Sequence, residues 1–368
     1  MNSKKRNSNF ELLRIISMLL IVFHHSVVHG LLIASASMNQ GTPVSNQVWL
    51  TTFTGQLVAM FGKVAVAVFV MISGYFLVNS SFSWEKSLKK ILFLVAQVYF
   101  YSLIIYSIAT YFKWINFRDL NTVQQAFFPL FYNTYWFATE YLLLYLIYPF
   151  LNVMLHNINQ RQHRDLILII GITFTMLPTL IPSFGIYDSY GLLVVFILYY
   201  IIGGYIRLYS VRNEKCQGKL LTILGVILVI SIIFYHDYMG RITHNQQWYH
   251  NSFMIAGQYS FTTVIIATGV ILLFKNINLG QNKIINTIAS TTFGVYLIHD
   301  NPIMEQVIWL KWLNMPALLT SGVKHFLITV IIVCPLIFTV CSLIDYIRIK
   351  IFDGVGFIFN RLKEKFKL

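Results

Sequence analysis

The sequence predicts an all-α membrane protein of about ten transmembrane helices, with both termini in the cytoplasm. Two observations lead there. Hydrophobic residues make up 57% of the 368 and charged residues only 11%, whereas soluble domains carry roughly 25% charged residues. The mean hydropathy is +0.66, and the apolar residues gather in runs close to the ~20 residues that a spanning helix needs. This composition excludes disorder, collagen, coiled coil and an ordinary cytosolic enzyme. The whole of 1–368 reads as a single polytopic domain, with no space for an appended soluble one.

The predicted spans are 13–33, 57–78, 91–112, 134–155, 166–183, 191–208, 220–236, 253–274, 284–301 and 324–347. The N-terminal segment resembles a signal peptide in having basic residues before an apolar run, but no convincing cleavage pattern follows, so it reads as a retained first span. The fifth span is interrupted by Pro178 and Pro182, and the ninth is rich in Thr, Ser and Asn. Positive charge supports keeping the ninth. With the N-terminus inside, the outer segments hold only Lys113, Arg118, Arg241, Lys311 and Lys324, and nearly all other lysines and arginines fall inside, as the positive-inside rule requires. Without the ninth span, the basic C-terminal tail would lie outside. That tail, GVGFIFNRLKEKFKL, reads either as an interfacial helix or as a frayed basic end.

The formal charge of +14 would suggest nucleic acid in a soluble protein. Here the loops are short and no basic patch alternates with aromatics, so no nucleic-acid partner is expected. The excess sets topology and can hold anionic lipid heads or cofactor phosphates. Cys216, Cys334 and Cys341 form neither a disulfide framework nor a zinc pattern, and no metal is expected.

Ionisable residues inside spans are costly and are functional candidates for that reason. In the first span Arg14 and His25 are separated by a net rotation of about 20° and an axial rise of ~16 Å, so they share one face, with Arg14 at the inner interface and His25 past the middle. His29 shares the His25 face, and His24 points elsewhere. Lys63 in the second span and Glu140 in the fourth each lie roughly 9 Å below the outer end. His299 and Asp300, ending the ninth span, reach a similar level. Lys86, Lys89 and Lys90 gather at the inner face. Together these residues trace a polar path with a cationic cytoplasmic mouth and a His/Glu centre. Plainer readings stand beside this one: Arg14 and Lys63 can snorkel, His25 can be a packing histidine, and the lysine cluster can be a topology signal.

Four segments carry a resemblance. NFELLRIISMLLIVFHHSVVHG is similar to the first span of the integral-membrane acyltransferase-3 family, with Arg14, ten residues, then His25. GKVAVAVFVMISGYFL resembles that family's second span, which closes on Ser-Gly-aromatic, here Ser73-Gly74-Tyr75. YWFATEYLLLYLIYPFLN and FGVYLIHDNP resemble its Trp-Phe…Pro and late Tyr-Leu-Ile-His segments. The resemblance covers essentially the whole chain and implies a glycan O-acetyltransferase-like activity. An acetyl or other acyl group would pass from cytoplasmic acyl-CoA, commonly acetyl-CoA, to a hydroxyl of a cell-surface or lipid-linked glycan. Where the family often has Arg-x-x-Arg, this chain has Lys86-x-x-Lys89-Lys90; lysine neutralises phosphates but lacks the bidentate fork.

The expected roles follow. His25 and Glu140 are the catalytic candidates, with His25 as base or transient acyl carrier and Glu140 orienting the ring or binding acceptor hydroxyls. Arg14, Lys86, Lys89 and Lys90 would bind the acetyl-CoA co-substrate. Lys63, Trp136 and His299 would face the acceptor, and membrane lipids and other envelope polysaccharide enzymes are the expected company. A bacterial plasma membrane is the expected location. The competing reading is an exporter or flippase of a polysaccharide or lipid-linked sugar, although the sequence shows no pair of matched halves with broken helices.

Overall fold

A computed structural model of the chain describes residues 7–36, 44–116, 118–181, 190–210, 212–255, 257 and 259–365. Among these residues every regular element is a helix. The main ones are α1 (Ser8–Ser26), α2 (Asn46–Leu77), α3 (Trp84–Tyr111), α4 (Trp136–Asn157) and α5 (Gln160–Leu180). They continue as α6 (Tyr190–Leu208), α7 (Glu214–Thr243), α8 (Phe261–Lys275), α9 (Lys283–Ser290), α10 (Thr292–His299) and α11 (Val323–Lys365).

Among the described residues, seven helical segments are long and apolar enough to cross a membrane: Ser8–Ala34, α2, α3, α4, α5, α7 and Val323–Gly354. The expected spans 191–208 and 253–274 correspond to shorter apolar helices, Leu192–Leu208 and Phe261–Lys275. The expected ninth span is two helices of eight residues each, α9 and α10. Its break has a local cause. The hydroxyls of Ser290, Thr291 and Thr292 reach back to the carbonyls of Thr287, Ile288 and Ala289, at 2.6, 2.7 and 2.9 Å, and such bonds compete with the helical ladder.

Helix ends differ from the expected boundaries because polar caps lie beyond the apolar runs. Asn7 caps α1, accepting from the Asn9 amide, and Ser45 caps α2, accepting from Val48. Pro178 sits inside α5 without ending it, because a π-helical turn at Ile172–Met176 precedes it and reshapes the hydrogen-bond ladder there. Pro182 lies outside the described residues. The helix of the basic tail is continuous with α11 as far as Lys365.

α2 is the centre of the bundle: 78% of its most apolar stretch is buried inside the protein, against 22% for α7 and for α11. α1 and α6 pack against it. The α2–α6 approach needs two glycines. A Cβ at Gly74 would stand 2.1 Å from the Tyr200 carbonyl oxygen, and one at Gly203 would stand 2.1 Å from that of Met71, so the two backbones touch where side chains are missing. The foot of α1 is tied to α9 and to the segment before it. Ser8 Oγ donates to Asn286 Oδ1 at 3.1 Å, and Asn9 bonds the Ile277 carbonyl and the Leu279 amide. Arg14 and Lys283 therefore belong to the same end of the bundle.

Candidate functional site

Two polar regions lie along the α1 face that carries Arg14 and His25. The first is a dry cluster where α1 meets the end of α10. His25 is 6% exposed, His299 0% and Asp300 4%. His25 Nδ1 lies 2.9 Å from His299 Nε2 and 3.0 Å from Asp300 Oδ1. His299 Nδ1 lies 2.6 Å from the Val295 carbonyl oxygen. A carbonyl only accepts, so His299 carries its proton on Nδ1 and offers a lone pair at Nε2. His25 Nδ1–H must then be the donor between the rings, shared with Asp300 Oδ1. This network puts a proton on His25 Nδ1, and among the described residues no hydrogen bond uses its Nε2.

His29 extends the cluster. It sits in a π-helical turn, Val27–Leu31, that follows α1, a local widening often found at functional positions. Its Nε2 is 3.4 Å from Asp300 Oδ1 and its Nδ1 is 3.2 Å from Glu305 Oε2, so the ring bridges two carboxyl groups. Asn301 donates to the Tyr135 hydroxyl at 2.7 Å, which in turn donates to the Leu297 carbonyl. This anchors the chain just past Asp300 to the start of α4. His25, His29 and Asp300 each offer a ligand atom within 4.8 Å of the others, near enough to share a metal ion. As a donor to His299, His25 Nδ1 has no lone pair to give one, which leaves Nε2 as that ring's ligand atom.

The second region is a cavity of about 460 Å³ at the Arg14 end, walled by Arg14, Lys89, Lys90, Ser73, Tyr141 and Tyr145 among others. Arg14 pairs with Glu11 at 3.2 Å and Lys89 with Glu85 at 2.7 Å, and the Lys90 ammonium stands 5.8 Å over the Tyr145 ring. Ser73 Oγ and the Tyr141 hydroxyl are 2.6 Å apart. Met18, Phe137, Thr292 and Phe293 also line the cavity, with Met18 two turns before His25 on α1 and Thr292 two turns before His299 on α10. Beyond it stands Tyr296, one turn past Thr292 and one turn before His299. Its ring centroid is 5.6 Å from that of Phe137 and 6.0 Å from those of Phe293 and Tyr135.

The structure thus joins His25 to His299 and places Arg14, Lys89 and Lys90 around one cavity. Lys86 is exposed and does not line it. Lys63 is buried and acts electrostatically on His24, which itself contacts the Ala59 carbonyl at 2.7 Å. Trp136 packs edge-on against Phe137 and Phe196. Glu140 Oε2 is buried without a hydrogen-bond partner, and no ion pair or hydrogen bond links Glu140 to His25.

Sequence reasoning placed Asp300 at the right depth without giving it a role, and it passed over Glu305 and Asp345. Glu305 lies outside every predicted span. Asp345 falls near the end of the last one, three residues before Arg348, and that spacing was the available signal.

A membrane helical bundle that holds a tautomer-fixed histidine behind a cationic cavity has the build of an integral-membrane enzyme. The chain belongs to the acyltransferase-3 family: the family model, described as an acyltransferase domain, matches residues 7–346. Comparison with curated proteins and with solved structures gives no match.

Proposed function

We propose that the protein transfers an acetyl or similar acyl group from cytoplasmic acyl-CoA to a hydroxyl of a cell-surface or lipid-linked glycan. The observation that carries this reading is the His299–His25 chain, which engages His25 Nδ1 and leaves Nε2 without a hydrogen-bond partner among the described residues, inside a membrane bundle of an acyltransferase family.

CoA phosphates sit among Arg14, Lys89 and Lys90, where cations draw in and hold anions. The pantetheine arm runs past Met18 and Phe137, and Tyr296 swings aside to admit the thioester. His25 Nε2 takes the proton of the acceptor hydroxyl as its oxygen attacks the thioester carbonyl. The C–S bond then breaks, the ester C–O bond remains, and the proton on Nε2 passes to the departing thiolate. Asp300, 3.0 Å from Nδ1, stabilises the imidazolium in between, and His299 holds the ring in register. Glu140, apart from His25, is assigned to acceptor hydroxyls together with Lys63 and Trp136. The chain works in the cell membrane, beside the enzymes that build the glycan.

Mass spectrometry of the surface glycan tests this, comparing cells with the chain, without it, and with His25→Ala at equal protein level. Loss of the acyl mass in the latter two supports the reading. Full acylation with His25→Ala refutes it, and loss of the polymer itself would indicate an exporter.

A further inference from the structure

A second cavity, of about 570 Å³, adjoins the first. The two share Phe93, Gln97 and Ser290 as common wall. The new cavity adds Lys283, Asn286 and Arg348, none of which took part in the reading of the sequence as a site. Both volumes fall in the ~300–1,000 Å³ range of small-molecule sites.

Arg348 is built in rather than left on the surface. It is 4% exposed, and its Nε and Nη2 bond Asp345 at 3.0 and 2.8 Å. Asp345 Oδ1 also accepts from the Tyr101 hydroxyl at 2.7 Å and from Gln97 at 3.3 Å. The remaining guanidinium nitrogen, Nη1, is buried with no hydrogen-bond partner, and an unsatisfied buried donor of this kind is costly. Lys283 opens α9 on the same wall, and its ammonium leaves this rim with a net positive charge once Asp345 has offset Arg348. Phe93, 53% exposed, gives the shared wall an aromatic face on which a purine can stack.

A cationic chamber with an aromatic step, joined to a second cationic chamber that leads toward the acyl-transfer centre, matches a ligand with two anionic parts. We propose that the Lys283/Arg348 cavity binds the adenosine 3′-phosphate end of the acyl-CoA donor, with the purine against Phe93, while the Arg14/Lys89/Lys90 cavity holds the diphosphate and the start of the arm. This rests on the acyl-CoA reading above. The chemistry recognised is a phosphate anion, which an anionic lipid head also presents.

The test uses the full chain in phosphatidylcholine nanodiscs. Calorimetry compares CoA with dephospho-CoA, which lacks only the 3′-phosphate. CoA is expected to bind about tenfold more tightly, the scale of one charge-assisted contact. Lys283→Glu, at a surface position that does not disturb the Asp345 network, is expected to erase that preference. Arg348→Lys is expected to narrow it while keeping the charge. If the two nucleotides bind equally, this assignment fails while the acyl-CoA reading stands. If neither binds, both fail. If Lys283→Glu keeps the CoA preference but releases phosphatidylglycerol, seen by native mass spectrometry in mixed-lipid discs, the cavity is a lipid-head site and the assignment is overturned.

Discussion

The His25 cluster and the cationic cavity sit along one helix face and are built in opposite ways. His299 and Asp300 are 0% and 4% exposed, and each bond in the chain from Val295 to His25 has one donor and one acceptor. The cavity lysines are loose by comparison: in the Lys89–Glu85 pair the side chains are 73% and 78% exposed, and such pairs contribute little stability. On the proposed function the contrast makes sense: a proton would be taken at one nitrogen in one orientation, which suits a buried, fixed site, whereas a phosphate needs only nearby positive charge, which suits a mobile one. The two should therefore respond differently to substitution.

The sharpest break in that contrast is His25→Ala, expected to lower acyl transfer by about 10²–10⁴-fold with the protein still in the membrane; glycan mass spectrometry reads it. Next come His299→Ala and Asp300→Asn, expected to cost roughly 10²-fold in kcat, with KM for acyl-CoA unchanged in single-turnover and steady-state assays. Glu140→Gln is expected to cost less than either, and a loss as large as that of His25→Ala would return Glu140 to the proton-transfer step.

Gly294→Ala tests the rigid frame behind both regions. A Cβ there would lie 2.0 Å from Asp345 Oδ1, so the Asp345 network must shift, at a cost of about 1–3 kcal/mol. A lower thermal midpoint of the purified protein would show it.

Smaller again is Lys89→Ala with Lys90→Ala, expected to raise KM for acyl-CoA several-fold, less so at high salt, with kcat held. Added salt screens exposed charges over ~10 Å at 0.1 M. Two changes should do nothing: Lys86→Ala, since Lys86 does not line the cavity, and chelation of divalent metals, since the proposed transfer uses none. Loss of activity on chelation with recovery on adding zinc would recast His25, His29 and Asp300 as ligands.

Much of this was legible locally. Apolar runs of spanning length predicted the helices, and the Arg14-to-His25 spacing predicted a shared face; both depend only on 100° per residue and the thickness of a bilayer. The depth argument also put His25 and His299 at one level. It did not give their contact, since depth says nothing about rotation around the bundle: His299 was expected to face the acceptor, and Glu140 to orient the imidazole or bind acceptor hydroxyls. The Arg348 wall was hidden for the same reason: counted along the chain, Arg348 looked like one more inward-facing topology charge.

The sequence alone determined an all-helical membrane bundle and the α1 face shared by Arg14 and His25, because hydropathy and helical period are properties of neighbouring residues, and its motifs carried the family likeness. Only the tertiary structure decided which group holds His25, since His299 stands 274 residues away and reaches it through the packing of α10 beside α1. It also decided that two cavities, not one, adjoin at the cationic end, because their common wall draws on α3 and α9.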